Sequence, residues 1–415
     1  MITDIYDYSG PARVKHGDHI YYDESVITSE LVDTVTSLDP TESGLEIVIS
    51  GGSMGGLFTG YALTEAGHEV DVFERTVGEM KDRGAGIIAH PEMVEYLDRE
   101  GIADADEIAH AVDRIQYLDS DGETLAAVDE RILSSSWDTV YNRMRENFPA
   151  DRYHQGYETK SVTNEDEQVT VGFENGEQTT GDLLVAAEGY RSTTRQQFLP
   201  DVEPQYGGYV AWRGVVHESE LRPGLAEQLM NNYVIYHGPD FQFLSYPVPG
   251  PNGEVTPGDR RANWVWYENT PESELEDLLT DIDGRKRQYS LPPGKMRPEV
   301  RDRQYEVAAD RLPDLLVELY EETPDPFIQN VYDVAVPQMV FDRTCLIGDG
   351  AFFARPHTAA GTAKAVADGL ELTVALDRAD SVDAALADWE ASQLELGQRL
   401  VDKGRDRGRR YMNRL

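Results

Sequence analysis

An α/β fold of two domains, one on a parallel sheet and one on a mixed sheet, is predicted by three observations. The run Gly51-Gly52-Ser53-Met54-Gly55-Gly56 lies between the apolar stretch Leu45-Glu46-Ile47-Val48-Ile49 and a periodic segment carrying Leu57, Tyr61 and Leu63. That order reads as strand, glycine turn and helix. Almost 300 residues later, Arg343-Thr344-Cys345-Leu346-Ile347 reads as a second strand, ending in Gly348-Asp349-Gly350 and followed by a helix. Between them, Tyr233-Val234-Ile235-Tyr236, Phe241-Gln242-Phe243-Leu244-Ser245-Tyr246 and Asn263-Trp264-Val265-Trp266-Tyr267 have the aromatic character of sheet strands.

In chain order, residues 1–44 hold nine acids and two bases with little periodicity. They are expected to form an acidic arm, either a solvated tail or a docking arm at a subunit interface. Residues 45–202 and 336–380 are expected to form one discontinuous domain, with a hairpin at Asp121-Gly122 and a helix near Trp137 to Phe148. Residues 203–335 form the second domain, and 381–415 a final helix. Its Arg399, Lys403, Arg405, Arg407, Arg409, Arg410 and Arg414 suit either a solvated face or pairing with an acidic surface of another subunit.

A glycine turn leading into a helix presents backbone N–H groups at the positive end of the helix dipole, where a pyrophosphate binds. Glu74 follows 23 residues after Gly51, near the spacing at which an acid receives a ribose hydroxyl. Gly51, Gly52, Ser53, Met54, Gly55, Gly56, Glu74 and the adjacent Arg75 are therefore candidate dinucleotide ligands, with Ser53 standing where a glycine is expected.

With Gly348-Asp349-Gly350 and the following Arg355-Pro356-His357-Thr358-Ala359-Ala360-Gly361-Thr362, the chain resembles the class A flavoprotein monooxygenases. The resemblance implies a Rossmann-like FAD-binding domain and a second mixed-sheet substrate domain, as in the p-hydroxybenzoate hydroxylase-like fold. It implies that Gly348 and Asp349 bind the ribityl side of FAD, and that Pro356, Gly361 and Thr362 lie against the isoalloxazine. Arg83, in Arg83-Gly84-Ala85-Gly86-Ile87-Ile88, looks like the arginine of the class near the flavin, and Glu188-Gly189 matches its third motif, with Glu188 replacing the usual aspartate. Trp137 stands where much of the class carries an FAD-contacting arginine. Tyr209-Val210-Ala211-Trp212-Arg213-Gly214 and Pro356-His357-Thr358-Ala359-Ala360-Gly361 are most similar to the 2,6-dihydroxypyridine 3-hydroxylase branch.

What the resemblance implies is an enzyme that uses FAD, NADPH or NADH, and O2 to hydroxylate a small aromatic or heteroaromatic ring, dihydroxypyridine-like, through a flavin hydroperoxide formed at C4a. A flavin-dependent epoxidase or reductase on the same fold, and a non-catalytic FAD-binding protein, are the alternatives. The oxidation belongs to the cofactor. Protein groups bind and orient the ring and deprotonate its hydroxyl, which calls for a base of near-neutral pKa. His90, Tyr246, His357 and His237 are the candidates.

The chain has 77 Asp and Glu against 37 Lys and Arg, a net charge of −40, with only 7 lysines. This balance suggests adaptation to very high salt, where a Debye length of ~3 Å screens self-repulsion. It argues against nucleic-acid and anionic-membrane partners. No long apolar span or secretory leader is read in the sequence, so a cytoplasmic enzyme, a possible homodimer, is expected. The single Cys345 sits in an apolar strand and is read as a packing residue, and no metal-ligand cluster is evident.

Overall fold

The computed structural model describes residues 26–78, 80 and 85–412. The glycine-turn strand Glu46–Ser50 lies at the centre of a six-stranded sheet. It pairs in parallel with Glu69–Glu74 on one side and Leu183–Ala186 on the other, which in turn pairs with Thr344–Leu346. The two glycine-bearing strands, far apart in sequence, thus end one strand apart at the same edge of the sheet, where ligands bind in such folds. Val-, Ile- and Leu-rich strands fit this position because both faces are covered, one by the helices Met54–Glu65, Gly361–Arg378 and their neighbours, the other by a three-stranded antiparallel sheet of Thr159–Glu165, Gln168–Phe173 and Gln178–Gly181.

The second sheet is mixed and larger, with ten strands. Its centre is antiparallel, Gln205–His217, Arg261–Asn269, Phe241–Val248 and Tyr233–His237 in that spatial order. The 86–136 stretch, expected within the first domain, adds three strands here: His110–Leu118 pairs in parallel with Tyr233–His237, then come Thr124–Ser136 and Gly86–Ile88. Unpaired edge groups on Tyr233–His237 would carry the cost of lost ladder bonds, and the long hairpin at Asp121-Gly122 satisfies them.

Alternation separates the two faces of this sheet. Trp212, Trp264, Trp266 and Phe243 point into an apolar core shared with Leu316, Leu319 and Tyr320. The opposite face carries Tyr209, Arg213, Gln242, Leu244, Tyr246, Asn263 and Tyr267, and it is turned toward the loop after the Gly348–Gly350 turn.

The described part of the N-terminal arm docks within its own chain. Its helix Ser29–Val35, capped by the Thr28 side chain, buries Leu31, Val32 and Val35 with Val26 and Ile27 in the main core. The final helix, Val382–Tyr411, crosses the whole molecule. Its basic residues pair inward as well as with solvent, since Arg405 meets Asp333 and Arg407 the His357 carbonyl. Cys345 is fully buried and burial raises its thiol pKa. No helix among the described residues is long and apolar enough to cross a membrane.

A first expected result concerns salt. With −40 of net charge around ordinary cores, lowering potassium chloride from about 3 M to about 0.1 M restores self-repulsion of a few kcal/mol, a drop in Tm of about 3–5 °C for a chain of this length. A calorimetric Tm that stays level over that range overturns the reading of high-salt adaptation.

Candidate active site

A cleft of about 340 Å³ runs along the carboxyl ends of the parallel strands, lined by Ser53, Met54, Glu74, Arg75, Trp137, Glu188, Gly189, Gly348, Asp349, Gly361 and Thr362 among others. Gly51 has φ +104°, and a Cβ there would sit 2.3 Å from the Ala187 carbonyl oxygen. A Cβ on Gly56 would lie 1.9 Å from the Gly51 oxygen. Only glycine lets the turn fold this tightly over the helix start. Gly52 N–H donates to Glu74 Oε2 at 3.0 Å and Thr76 N–H to Oε1 at 2.8 Å, so Glu74, 5% exposed, ties its strand to the glycine turn while keeping lone pairs on the cleft. Gly348, φ +57°, turns the chain so that Asp349 lies at the other end.

Beneath that turn, Gly348 N–H donates to Asp368 Oδ2 at 2.7 Å. Asp368 is held by Lys364 Nζ at 2.6 Å, and both are buried. Burial raises the Asp349 carboxyl to about 7, with Lys364 opposing and Asp368 adding to the shift. An acid at each end, a helix N-terminus between them and glycine-permitted backbone approach are what an extended dinucleotide requires, so the residues present fit FAD.

The departures from the class pattern have structural answers. Glu188 folds back on its own neighbourhood: Oε1 accepts from Ser50 Oγ at 2.8 Å and Thr194 Oγ1 at 3.0 Å, and Oε2 from Ser192 Oγ at 2.6 Å and Thr194 N–H at 2.9 Å. Trp137 lines the cleft with its ring stacked on Tyr141 at 4.8 Å, supported by the Tyr141–Tyr153–Gly52 hydroxyl and carbonyl chain. Arg83 lies outside the described residues.

The 355–362 segment joins the cleft to the mixed sheet. Pro356–Thr358 forms a short 3₁₀ turn, Ala359 is left-handed at φ +54°, and Gly361 opens the next helix. His357 meets the sheet on both ring nitrogens, with Gln242 Oε1 3.2 Å from Nδ1 and the Tyr209 hydroxyl 2.9 Å from Nε2. A carbonyl acceptor at Nδ1 assigns the proton there, so Nε2 accepts from Tyr209. His90, at the N-cap of Pro91–Arg99 and 1% exposed, places Nε2 3.1 Å from the Ala359 carbonyl. Tyr246 stacks on Tyr233 at 4.8 Å beside the Asn263 amide and packs with Ala359 in one cluster. His237 lies lower, its ring 5.4 Å from Tyr411. The structure therefore brings His90, Tyr246 and His357 to one loop and leaves His237 at its base.

Burial pushes His357 down to about 3, aided by Arg355, Arg407 and His237, and pushes His237 down to about 4. Both are neutral at working pH, which sets aside the expectation that either has the near-neutral pKa of a base. In the unfolded chain each protonates near 6.5, so folding stability contributed by the neutral form is present above 6.5 and is lost as pH falls toward those depressed values. At about pH 5 the pair costs on the order of 2 kcal/mol per histidine. His357→Gln is expected to remove about half of that acid sensitivity in denaturant titrations at constant high salt, and equal slopes for the two proteins overturn the neutral assignment.

Sequence reasoning passed over Arg213. In the centre of the mixed sheet it is only partly buried, as is Leu244 two strands away, although the rest of the Phe241–Val248 strand is buried. Those two residues, with Val265 between them on the same rung, lie on the sheet face turned toward the 355–362 loop. Arg213 donates to Gln329 Oε1 at 2.8 Å and the Gly86 carbonyl at 3.2 Å, and its buried Nε has no hydrogen-bond partner. Among the described residues no carboxylate pairs with it, in a chain with 77 acids. The sequence signal was an arginine alternating with Trp212 in an aromatic strand.

Residues 206–333 match the "FAD binding domain-like" family. The chain is 31% identical over 368 residues to 2,6-dihydroxypyridine 3-monooxygenase of Paenarthrobacter nicotinovorans, covering 88% of this chain and 91% of the relative. It is 25% identical to 3-hydroxybenzoate 6-hydroxylase of Klebsiella oxytoca, over 88% of this chain and 89% of that one. The solved 2,6-dihydroxypyridine-3-hydroxylase of Arthrobacter nicotinovorans superimposes with a TM-score of 0.84 at 30% identity, covering 90% and 94% of the two chains. The HpxO structure of Klebsiella pneumoniae with FAD and uric acid shares the fold at a TM-score of 0.73 and 22% identity, over 89% of each chain. Cleft geometry, sheet order and sequence agree, and the chain belongs to the FAD-dependent aromatic monooxygenases.

Proposed function

We propose that this protein uses NAD(P)H and O2 to hydroxylate an electron-rich aromatic or heteroaromatic ring bound as its anion, of the dihydroxypyridine type. Arg213 carries the reading, a half-buried cation whose Nε has no hydrogen-bond partner and which, among the described residues, has no acidic partner, on the sheet face turned toward the 355–362 loop. A cation fixed in a low-dielectric site lowers the pKa of a ring hydroxyl placed beside it, and the resulting oxyanion makes the ring a better nucleophile. Gln329 and the Gly86 carbonyl hold the guanidinium fork in place. Leu244 and Val265 give the ring an apolar bed and keep water off it. Tyr246, whose hydroxyl burial holds protonated, is a donor along that wall. The ring enters as its anion, having left its hydroxyl proton with water before binding, so no dedicated histidine base is needed.

FAD, when bound, accepts the hydride and activates oxygen. For its part the chain would hold the cofactor through the 53–55 amides on the pyrophosphate, Glu74 on the adenosine ribose and Asp349 on the ribityl hydroxyls. His90 anchors the loop by donating from Nε2 to the Ala359 carbonyl. His90→Gln keeps a donor and removes a base, so hydroxylation is expected to stay within about threefold of wild type, whereas a fall of 10²–10⁴-fold would reinstate His90 as the base.

The test is a panel of hydroxypyridines and hydroxybenzoates in high salt, following NADPH and NADH consumption together with product mass. Stimulated consumption with a product heavier by one oxygen supports the reading. Reduced-nucleotide oxidation without oxygenated product, or none at all, overturns it.

A further inference from the structure

The C-terminal helix reaches from the nucleotide-binding half to the 355–360 loop, and its contacts change character along its length. Near its start, Trp389 Nε1 donates to the Asp368 carbonyl at 2.9 Å and Glu390 Oε1 accepts from the Met339 and Val340 N–H groups at 2.6 and 2.8 Å. Near its end it closes on the 355–360 loop. A Cβ on Gly404 would stand 3.0 Å from Arg355 N, and one on Gly408 2.7 Å from the Tyr209 hydroxyl. Arg407 Nη1 donates to the His357 carbonyl at 2.8 Å. The Tyr411 ring lies 5.4 Å from both His357 and His237. Asp333 ties Arg355 at 2.8 Å to Arg405 at 3.3 Å, and Asn269 Nδ2 donates to the Met412 carbonyl at 3.0 Å.

We infer that the last turns of this helix are a positioning strap, in which Arg407 and Tyr411 hold the 355–360 loop in the conformation that faces the flavin. The loop's own turn bonds, Thr358 N–H to the Arg355 carbonyl at 3.1 Å and Ala359 N–H to the Pro356 carbonyl at 3.0 Å, leave the carbonyls of residues 357 and 359 to partners outside the loop. Ala359 is a non-glycine residue in the left-handed region, which the local backbone disfavours. Its conformation persists only where outside groups fix the neighbouring carbonyls, and two do so: Arg407 on residue 357 and His90 on residue 359. Arg407 also adds to the burial and the Arg355 charge that keep His357 neutral, so the same side chain acts on both the backbone and the ring of that residue. Arg409, two positions on, is exposed and pairs only within its own helix with Asp406.

The inference rests on the reading that this loop faces the flavin, and a substrate-independent measurement keeps the two apart. Hydrogen–deuterium exchange of the full-length enzyme, with and without FAD, reports first whether the 355–362 peptide is protected by cofactor, which tests the loop reading. In the FAD-loaded protein, Arg407→Met and Tyr411→Leu are each expected to speed exchange of that peptide at least tenfold. Exchange of the 51–60 peptide and FAD stoichiometry should stay unchanged, and the visible circular dichroism of the flavin should change. Arg407→Lys, which keeps a charged donor for the carbonyl, is expected to remain within about threefold of wild type and covers the case in which the methionine variant fails to fold. Arg409→Met, the same loss of charge one face away, is expected to have no effect. Unchanged loop exchange in both Arg407→Met and Tyr411→Leu, or an equal effect of Arg409→Met, overturns the strap.

Discussion

Arg213→Met is expected to lower kcat/KM for the hydroxylated ring by about 30- to several-thousand-fold, because removing one partner of a buried, hydrogen-bonded charge pair costs roughly 2–5 kcal/mol. Arg213 lies outside the nucleotide cleft, so FAD content and its visible spectrum should match wild type. The pH profile separates recognition from packing. Wild type selects the ring anion and should keep activity below the free ring's pKa, whereas the methionine variant should recover only as pH rises and the anion forms in solution. Arg213→Lys is expected to fall between them, since a point charge cannot span Gln329 and the Gly86 carbonyl as a planar fork does. A methionine variant with kcat/KM within threefold of wild type would remove the anion-binding reading and leave the family assignment untouched.

Asp349→Ala is expected to yield a folded protein that has lost about ten- to a hundredfold in FAD affinity, since a hydrogen bond to a charged group contributes about 1.5–3 kcal/mol. The raised carboxyl adds a pH signature. With a folded value of about 7 against an ordinary 3.8, the FAD-free protein binds a proton that the unfolded chain has released. Its stability therefore falls as pH rises between those values. The open cleft wets this side chain, so only about half the full 1.36 kcal/mol per pH unit is expected, on the order of 2 kcal/mol in all. FAD affinity should rise over the upper part of the same window, as the carboxylate that accepts ribityl hydroxyls forms. Asp349→Asn is expected to flatten both profiles. Stoichiometric, tightly bound flavin in the alanine variant would show that the ribityl end is held by other groups.

The nucleotide-binding half was legible in the sequence because its determinants are local. A glycine turn between an apolar strand and a periodic helix is written in some twenty consecutive residues, and the steric need for glycine at Gly51 and Gly56 acts over the same short stretch. The tryptophans of the mixed sheet were legible for a like reason, since period-two alternation buries them together on one face. Two of the candidate histidines were chosen for a chemistry that depends on solvation, which alternation does not report. His357 and His237 have their pKa values lowered chiefly by burial, with Arg355 and then Arg407 adding at His357, and part of what packs on them is a helix far along the chain whose Tyr411 ring lies against both.

The sequence by itself determined the class of fold, the FAD cleft and the net charge of −40, each a property of short segments or of composition. Tertiary structure alone decided that the 86–136 strands join the mixed sheet, that the arginine-rich tail turns inward, and that among the described residues no acid pairs with Arg213. These are questions of which distant groups meet, and of how much water remains between them. Electrostatic energy and hydrogen-bond satisfaction depend on distance and burial in three dimensions, so no period along the chain encodes them.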